Sequence, residues 1–217
     1  MRYLICGDIH GNLPALEKLL KIEKGNYDSL ICHGDLVNYA PWSNECVQLM
    51  ESVPNAEILM GNHEEYFING HFGGSHPVAN AFFDFCYSKF TELQTIQDYK
   101  DKIELKNFTV KHTVLDKYIF ENTDLEGVNF KTNYIIGHSH HQFKRDVNGK
   151  KIVNTGSLGQ NRKHINIANY IIYDEALNDI ELKFFPVDID LVIDQMRKEN
   201  YPSICIDYYM NKERKKL

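Results

Sequence analysis

The apolar positions in the N-terminal part of the chain follow two different periods. Three short apolar runs, at residues 2–6, 29–33 and 56–60, are typical of buried β-strands. The segments between them, residues 13–24 and 43–53, carry apolar side chains three and four positions apart, which predicts amphipathic helices. Strands and helices that alternate in this order predict a parallel sheet built from βαβ units.

The pattern becomes irregular in the middle of the chain. Residues 69–91 start with a glycine-rich stretch typical of a loop and continue with an aromatic-rich segment that we expect to be helical. We treat this region as a candidate lid insertion. From about residue 99 onwards, apolar runs separated by turn signals predict strands and hairpins, including a strand over residues 132–140. The Asn-Gly pair at residues 148–149 predicts one hairpin turn, and residues 188–200 have the period of a closing helix.

The composition is that of an ordinary globular protein, with 43% hydrophobic and 25% charged residues. Since no repeat or linker-like segment interrupts the pattern, we predict one α/β domain over residues 1–217. The net charge of −6 argues against a nucleic-acid-binding surface, which is normally basic. A small nucleotide stays open as a substrate, because bound metal ions can supply local positive charge. Residues 209–217 are basic, and we expect them to form a solvated tail.

Cysteine usage and hydropathy bear on the location of the protein. The five cysteines are widely spaced and form no CxxC pair, so neither a disulfide framework nor a thiolate zinc site is indicated. A charged motif begins too close to the N-terminus for a signal peptide, and no apolar run approaches the roughly 20 residues of a membrane span. We therefore expect a reduced, cytoplasmic protein with no membrane partner.

Polar motifs follow each of the three predicted N-terminal strands. Asp8 and His10 follow the first strand, Asp35 follows the second, and Asn62 and His63 follow the third. Binding crevices in open parallel sheets lie outside the carboxyl ends of the strands. We therefore expect carboxylate, imidazole and amide groups to meet at one edge of the sheet.

The second half of the chain adds histidines at predicted strand ends. These are His112, His138 and His140. Because a strand alternates its faces, His138 and His140 are expected to point the same way and His141 the other way. Carboxylate and amide oxygens combined with imidazole nitrogens suit manganese, iron or zinc, and Asp35 is the natural bridge between two ions. Two divalent ions about 3.5–4 Å apart can support an in-line attack on phosphorus.

The motifs GDIHGN, GDLVNYAP, GNHE and GHSHH, in this order, resemble those of the calcineurin-like metallophosphoesterase superfamily. The similarity extends from residue 3 to about residue 175 and is greatest to small bacterial and archaeal phosphodiesterases without extra domains. The resemblance implies a sandwich of two mixed β-sheets flanked by α-helices. It also implies hydrolysis of phosphodiesters or phosphoanhydrides of small molecules, nucleotides included, by a metal-activated hydroxide.

The resemblance also implies a role for each polar residue. One metal would be held by Asp8, His10, Asp35 and His140, and the second by Asp35, Asn62, His112 and His138. His63 would donate a proton to the leaving oxygen. Manganese is the expected metal, with iron, zinc and nickel as alternatives. Thr113 follows His112 where the family usually has glycine, so His71 and His76 stay open as alternative ligands.

Other departures from the family pattern concern neighbouring residues. Gly7 replaces the usual serine and His33 the usual apolar residue, and we expect His33 to pack near the ligands. Residues 38–42, residues 69–91 and Arg162 are candidates for substrate contact. Loop packing is the favoured explanation for Tyr39 and Trp42, and core packing for the phenylalanines of residues 69–91, while surface exposure explains Arg162 at least as well.

Three other functions are compatible with parts of the sequence. A phosphoprotein phosphatase would use the same metal core. A nuclease fits less well, because the chain is acidic and shows no DNA-binding domain. A non-catalytic scaffold would be expected to lack the catalytic histidine, whereas His63 is present.

Overall fold

The computed structural model describes residues 1–216, and Leu217, the last residue of the predicted domain and tail, lies outside the described residues. The strands are β1 (Arg2–Cys6), β2 (Ser29–Cys32), β3 (Ala56–Ile58), β4 (Lys102–Glu104), β5 (Phe108–Lys111), β6 (Asn133–Ile136), β7 (Phe143–Val147), β8 (Lys150–Asn154), β9 (Ile167–Asp174) and β10 (Asp179–Pro186). The helices are α1 (Leu13–Ile22), α2 (Ser43–Ser52), α3 (Asn62–Asn69), α4 (Pro77–Tyr87), α5 (Leu93–Ile96), α6 (Ile189–Lys198) and α7 (Ser203–Met210).

The strands form two five-stranded mixed sheets. The first sheet has the order β10-β9-β1-β2-β3. Strands β1, β2 and β3 pair in parallel, and β9 pairs antiparallel with both β1 and β10. The second has the order β4-β5-β6-β8-β7, with β5, β6 and β8 parallel. The turn between β7 and β8 is Asn148-Gly149, and both residues have positive φ angles, 50° and 77°, as expected for a two-residue hairpin. The predicted hairpin is confirmed.

The two sheets pack face to face, and β1 contributes to two separate cores. Tyr3 and Ile5 point to the second sheet, where Val110, Ile135 and Val153 meet them. The alternate residues of β1, Leu4 and Cys6, pack against the helices on the other side. Because both faces of β1 are buried, the strand is a continuous apolar run and not an alternating one.

Helices cover the outer face of the first sheet, and residues 114–130 cover the outer face of the second. The predicted sandwich of two mixed sheets flanked by helices is confirmed. Helix α1 begins as its sequence predicts, because the side chain of Asn12 accepts a hydrogen bond from the backbone N–H of Ala15.

The region predicted as a lid divides into two parts. Helix α4 belongs to the core, since Phe82 and Phe83 are buried and the helix packs on α7. The loop of residues 71–76 is largely exposed. The region therefore contains a short surface loop and a core helix, and only the loop has the exposure that a lid needs.

The basic C-terminal segment also differs from the prediction. Residues 209 and 210 complete α7, and Tyr209 is fully buried. Beyond the helix, Arg214 donates two hydrogen bonds to Asp190, at 2.7 and 2.9 Å, and the backbone of Lys215 bonds to the side chain of Asn166. Residues 209 and 210 thus belong to a helix and not to a tail, and these contacts attach residues 214 and 215 to the domain, although residues 213–216 are exposed.

No helix among residues 1–216 has the length and hydropathy needed to cross a membrane.

Candidate metal centre

The predicted ligands lie together in one cluster at the carboxyl ends of strands from both sheets. Each of them follows β1, β2, β3, β5 or β6 directly. One group of side chains whose ligand atoms lie within 4.8 Å of one another consists of Asp8, His10, Asp35 and His140, and a second consists of Asp35, His112 and His138. The Oδ1 atom of Asn62 is 2.9 Å from Nε2 of His112, which adds the amide to the second group.

This division into two groups that share Asp35 is the one that the resemblance implies. Metal binding by these residues stays a prediction, as does the catalytic role of His63. His71 and His76, the alternatives to His112, are in neither group. The same is true of His141, whose ring lies 5.1 Å from the ring of Phe120.

Left-handed backbone conformations direct several ligands into the cluster. Positive φ angles occur at Asp8, His10, Asp35, His138 and His140, at 46°, 49°, 56°, 66° and 59°. Such angles are uncommon for residues other than glycine and are often found at functional sites. They also correct one prediction. Strand β6 ends at residue 136, so His138 and His140 reach the cluster from a loop and not by alternation along a strand.

Three ligand histidines have the same orientation. The Nδ1 atoms of His10, His112 and His140 lie 3.1, 3.1 and 2.6 Å from the backbone oxygens of Val37, His33 and Gln160. A carbonyl oxygen only accepts hydrogen bonds, so each Nδ1 carries a proton, and in its neutral form each ring turns the lone pair of Nε2 to the cluster. The Nε2 atoms of His10 and His140 are 3.1 Å apart. Two lone pairs at this distance repel one another unless a cation lies between them.

The charges of the cluster also suit cations. Asp8 and Asp35 are almost fully buried, which raises the pKa of each carboxyl, but the surrounding histidines lower it by more, so both stay ionised. Burial lowers the pKa of His112, yet Asp35, whose Oδ2 is 3.3 Å from Nε2, more than offsets this and raises the pKa to about 9. The cluster thus draws positive charge to the place where the ligand atoms converge, and its donor set fits divalent cations.

His63 lies beside the cluster and outside both groups. Its ring centroid is 4.8 Å from that of His10. The side-chain oxygen of Asn38 accepts a hydrogen bond from the backbone N–H of Tyr39 at 2.8 Å, which turns the Asn38 amide nitrogen to Nδ1 of His63 at 2.9 Å. The amide donates to Nδ1, so the neutral imidazole carries its proton on Nε2. Burial lowers the pKa of His63 to about 4, which keeps the ring neutral at pH 7.

Glu64 is a buried residue that the sequence analysis missed. Its carboxylate accepts hydrogen bonds from the backbone N–H groups of Asp35, Leu36 and Val37, at 2.7, 2.7 and 3.2 Å, and from that of Gly61 at 2.9 Å. These bonds tie the loop after β2 to the start of α3. The sequence does contain a signal for this role, because a glutamate at the third position of a helix is typical of an N-terminal capping arrangement.

His33 packs beneath the ligands, as its position in the sequence predicts. Its Nε2 is 2.6 Å from Oγ1 of Thr155. A Cβ atom at Gly7 would come within 2.2 Å of its ring, and one at Gly137 within 2.0 Å. The two departures from the family pattern, glycine at position 7 and histidine at position 33, therefore depend on each other, because the large ring needs the space that the glycine leaves.

A cavity of about 520 Å³ opens beside Asn62 and His63. Its other lining residues include Tyr39 from the 38–42 segment, Phe72 from the exposed loop, and Arg162. Each of the three regions that the sequence offered as substrate contacts thus contributes to the same cavity. That these residues touch a substrate stays a prediction.

The fold and the cluster together define a class of protein. A two-sheet sandwich with a shared carboxylate at the strand ends is an arrangement for phosphoryl chemistry with two metal ions. The chain belongs to the calcineurin-like phosphoesterase family, whose family model matches residues 1–193. It is therefore a metal-dependent phosphoric ester hydrolase.

Similar proteins come from bacteria and archaea. An uncharacterized protein of Methanocaldococcus jannaschii is 27% identical over 230 aligned residues, which cover 91% of this chain and 93% of the relative. A metallophosphoesterase from Sphaerobacter thermophilus has 26% identity and a TM-score of 0.77, with 97% of this chain and 99% of that chain covered. A hypothetical protein from Pyrococcus horikoshii OT3 shares the fold with a TM-score of 0.79 at 16% identity, over 100% of this chain and 99% of that chain.

Proposed function

We propose that this protein hydrolyses phosphodiesters or phosphoanhydrides of small molecules, nucleotides among them, with two divalent cations. The observation that carries the proposal is the cluster itself, in which two groups of ligand atoms share Asp35 beside a histidine with its proton on Nε2. Manganese is the metal we expect, because the donor set mixes carboxylate and amide oxygens with imidazoles and contains no thiolate.

In this proposal Asp8, His10, Asp35 and His140 hold one cation, and Asp35, Asn62, His112 and His138 hold the other. When bound, two such cations activate water and stabilise charge on the phosphoryl oxygens. Only two carboxylates would face four positive charges, so the loaded site stays cationic and attracts a phosphate ester.

His63 assists departure of the leaving oxygen in this proposal. The ring is neutral at pH 7 and carries its proton on Nε2. A neutral imidazole is too weak an acid to transfer that proton, so it fills the general-acid position by donating a hydrogen bond that stabilises the charge on the leaving oxygen. Asn38 is a positioning residue that holds His63 in this tautomer. Removing one such preorganised donor typically costs about 10²–10³-fold in rate.

We further propose that the protein acts in the cytoplasm without a nucleic-acid partner. All five cysteines are unpaired and buried, which suits a reducing compartment. The net charge of −6 disfavours binding to a polyanion.

The test uses bis-p-nitrophenyl phosphate and diphenyl phosphate as substrates. We expect turnover that disappears on treatment with EDTA and returns with manganese. His63→Ala should slow hydrolysis of diphenyl phosphate by about 10²–10³-fold, because the charge on phenolate needs stabilisation by a hydrogen bond more than that on p-nitrophenolate does. Absence of metal-dependent turnover would refute the proposed reaction. Full activity of His63→Ala on both esters would refute the role of the histidine, and a strong preference for phosphopeptides would favour a phosphoprotein phosphatase.

A further inference from the structure

The cavity beside His63 is placed to receive the leaving part of the substrate. In the proposed function Nε2 of His63 donates a hydrogen bond to the leaving oxygen, so this oxygen must come close to Nε2. His63 and Asn62 line the cavity, and none of the other residues of the two ligand groups, all of which the structure describes, is among its lining residues. The chemistry of the other walls therefore indicates what kind of group leaves.

Aromatic side chains supply much of these walls. They are Tyr39, Tyr66, Phe72, Tyr118 and Tyr208. The rings of Tyr66 and Phe72 lie 5.7 and 6.3 Å from the ring of His63 and 4.9 Å from each other. Such walls suit a planar aromatic group, because rings that stack or meet edge to face gain energy beyond the area that they bury.

Arg162 is the unusual residue of the cavity. Its guanidinium lies 5.0 Å from the centroid of the Tyr118 ring, and the residue is half-buried. Across residues 1–216, no carboxylate oxygen lies within 4.0 Å of its nitrogens. By contrast, Arg197 and Arg214 each form an ion pair, and Arg145 donates to backbone carbonyls.

A half-buried guanidinium loses part of its hydration while it stays charged, and Arg162 has no carboxylate to compensate for this loss. An anion supplied by a ligand would offset this loss. The cavity lining supports this reading, because it contains a second cation, Lys212, and, in the part of the chain that the structure describes, no aspartate or glutamate. The geometry of a guanidinium also matches the two oxygens of a phosphate.

We propose that Arg162 binds a second phosphate on the leaving part of the substrate and that the aromatic walls receive its ring. This inference rests on the proposed function and narrows it to nucleotide substrates in which the leaving group is itself a nucleotide, as in dinucleoside polyphosphates. In the hydrolysis, a bond forms between a water oxygen and phosphorus, and the bond from phosphorus to the leaving oxygen breaks. The leaving oxygen keeps the electron pair of that bond and accepts a hydrogen bond from Nε2 of His63, and the proton that the attacking water loses passes to the solvent.

A structural role for Arg162 is the rival explanation. Arg162 stacks on Tyr118, and Tyr118 stacks on the ligand His138 with ring centroids 4.1 Å apart and an interplanar angle of 9°. If the arginine only supported this stack, its loss would disturb the metal site, and the hydrolysis of every substrate would slow by the same factor. A test must therefore compare substrates and measure bound metal.

The experiment uses the full chain with manganese and two substrates, diadenosine tetraphosphate and bis-p-nitrophenyl phosphate. The variants are Arg162→Gln, Arg162→Lys and, as a matched control, Lys163→Gln, which changes an exposed neighbour that lines a different cavity. We expect Arg162→Gln to lower the ratio of kcat/KM for the nucleotide to kcat/KM for the nitrophenyl ester by roughly 10- to 150-fold, as for a lost charged hydrogen bond. The ratio for Arg162→Lys should lie between those of the unmodified protein and Arg162→Gln, and Lys163→Gln should leave the ratio unchanged.

Manganese content, measured by mass spectrometry, separates the outcomes. Equal losses on both substrates together with lost metal would assign Arg162 to support of the ligands and overturn the inference. An unchanged ratio in Arg162→Gln would also overturn it. If the unmodified protein cleaves the nitrophenyl ester but not the nucleotide, the inference fails while the proposed function stands. If it cleaves neither with metal present, the proposed function itself fails.

Discussion

Replacing Asn38 tests whether His63 must carry its proton on Nε2. Asn38 is fully buried, and its φ angle is 75°, a left-handed conformation. Glycine adopts this conformation without strain, so Asn38→Gly removes the amide and leaves the backbone conformation accessible. The substitution removes the hydrogen bond of 2.9 Å to Nδ1 and the bond of 2.8 Å from the N–H of Tyr39.

The size of the effect follows from the energy of one hydrogen bond. A net value of about 0.5–1.5 kcal/mol corresponds to about 2- to 12-fold in rate. The neutral imidazole can then carry its proton on either nitrogen, so part of the population cannot donate from Nε2. We expect kcat for diphenyl phosphate to fall by this factor, far less than for His63→Ala.

The assay compares leaving groups and combines the two substitutions. Hydrolysis of bis-p-nitrophenyl phosphate should change less than that of diphenyl phosphate, because a stable leaving anion needs little stabilisation by a hydrogen bond. In a double-mutant cycle, Asn38→Gly should add nothing to the effect of His63→Ala, since Asn38 acts only through His63. Equal losses on both esters, or a further loss in the double variant, would refute the reasoning.

Three other predictions concern the ligands and the stability of the fold. His138→Ala should lower the manganese content measured by mass spectrometry, whereas His141→Ala, a change outside both ligand groups, should leave it unchanged. Gly137→Ala would place a Cβ atom 2.0 Å from the His33 ring, so urea unfolding should show a loss of about 1–3 kcal/mol. Burial raises the pKa of Glu23, but hydrogen bonds from a lysine and a tyrosine lower it by more, to below the model-compound value of 4.5. Glu23→Gln should therefore cost about 1–3 kcal/mol above pH 4.5, and this difference should shrink as the pH falls through the lower pKa of the folded state.

The parts of the fold that the sequence predicts well are those in which local pattern and burial agree. Strands β1 and β2 are buried on both faces and appear as short apolar runs, and α1 and α2 bury one stripe each. Helix α3 was missed because it begins inside the ligand motif, at Asn62, where polar residues hide the helical period. Helix α7 was missed because its apolar and aromatic residues surround it on several sides and give no clear stripe.

The residues of the ligand cluster were predicted from their types and spacing, but their geometry was not. Strand alternation predicts that His138 and His140 point to the same side, and they do reach the same cluster. The cause is different, because both residues lie in a loop and have left-handed backbone conformations. The cavity lay further beyond sequence reasoning. Phe72, Tyr118 and Arg162 come from three separate segments, and only the packing of the two sheets and their connecting loops brings them together.

The strained backbone of the cluster indicates that the cluster and the cavity are held in place by different interactions. Each left-handed residue costs on the order of 1–3 kcal/mol, and it persists only where surrounding contacts hold it. Here the N–H groups of Asp8 and His10 donate to the carbonyls of Gly34 and Asp35, at 3.0 and 2.9 Å, and Glu64 fixes the loop after β2 from the other side. The ligand cluster is thus held by backbone bonds between adjacent strand ends. The cavity walls come instead from helices and from loops, and the loops contribute Phe72, Tyr118 and Arg162. Substitutions in those loops can therefore alter which leaving group is accepted without disturbing the ligands, so cluster and cavity can be tested separately.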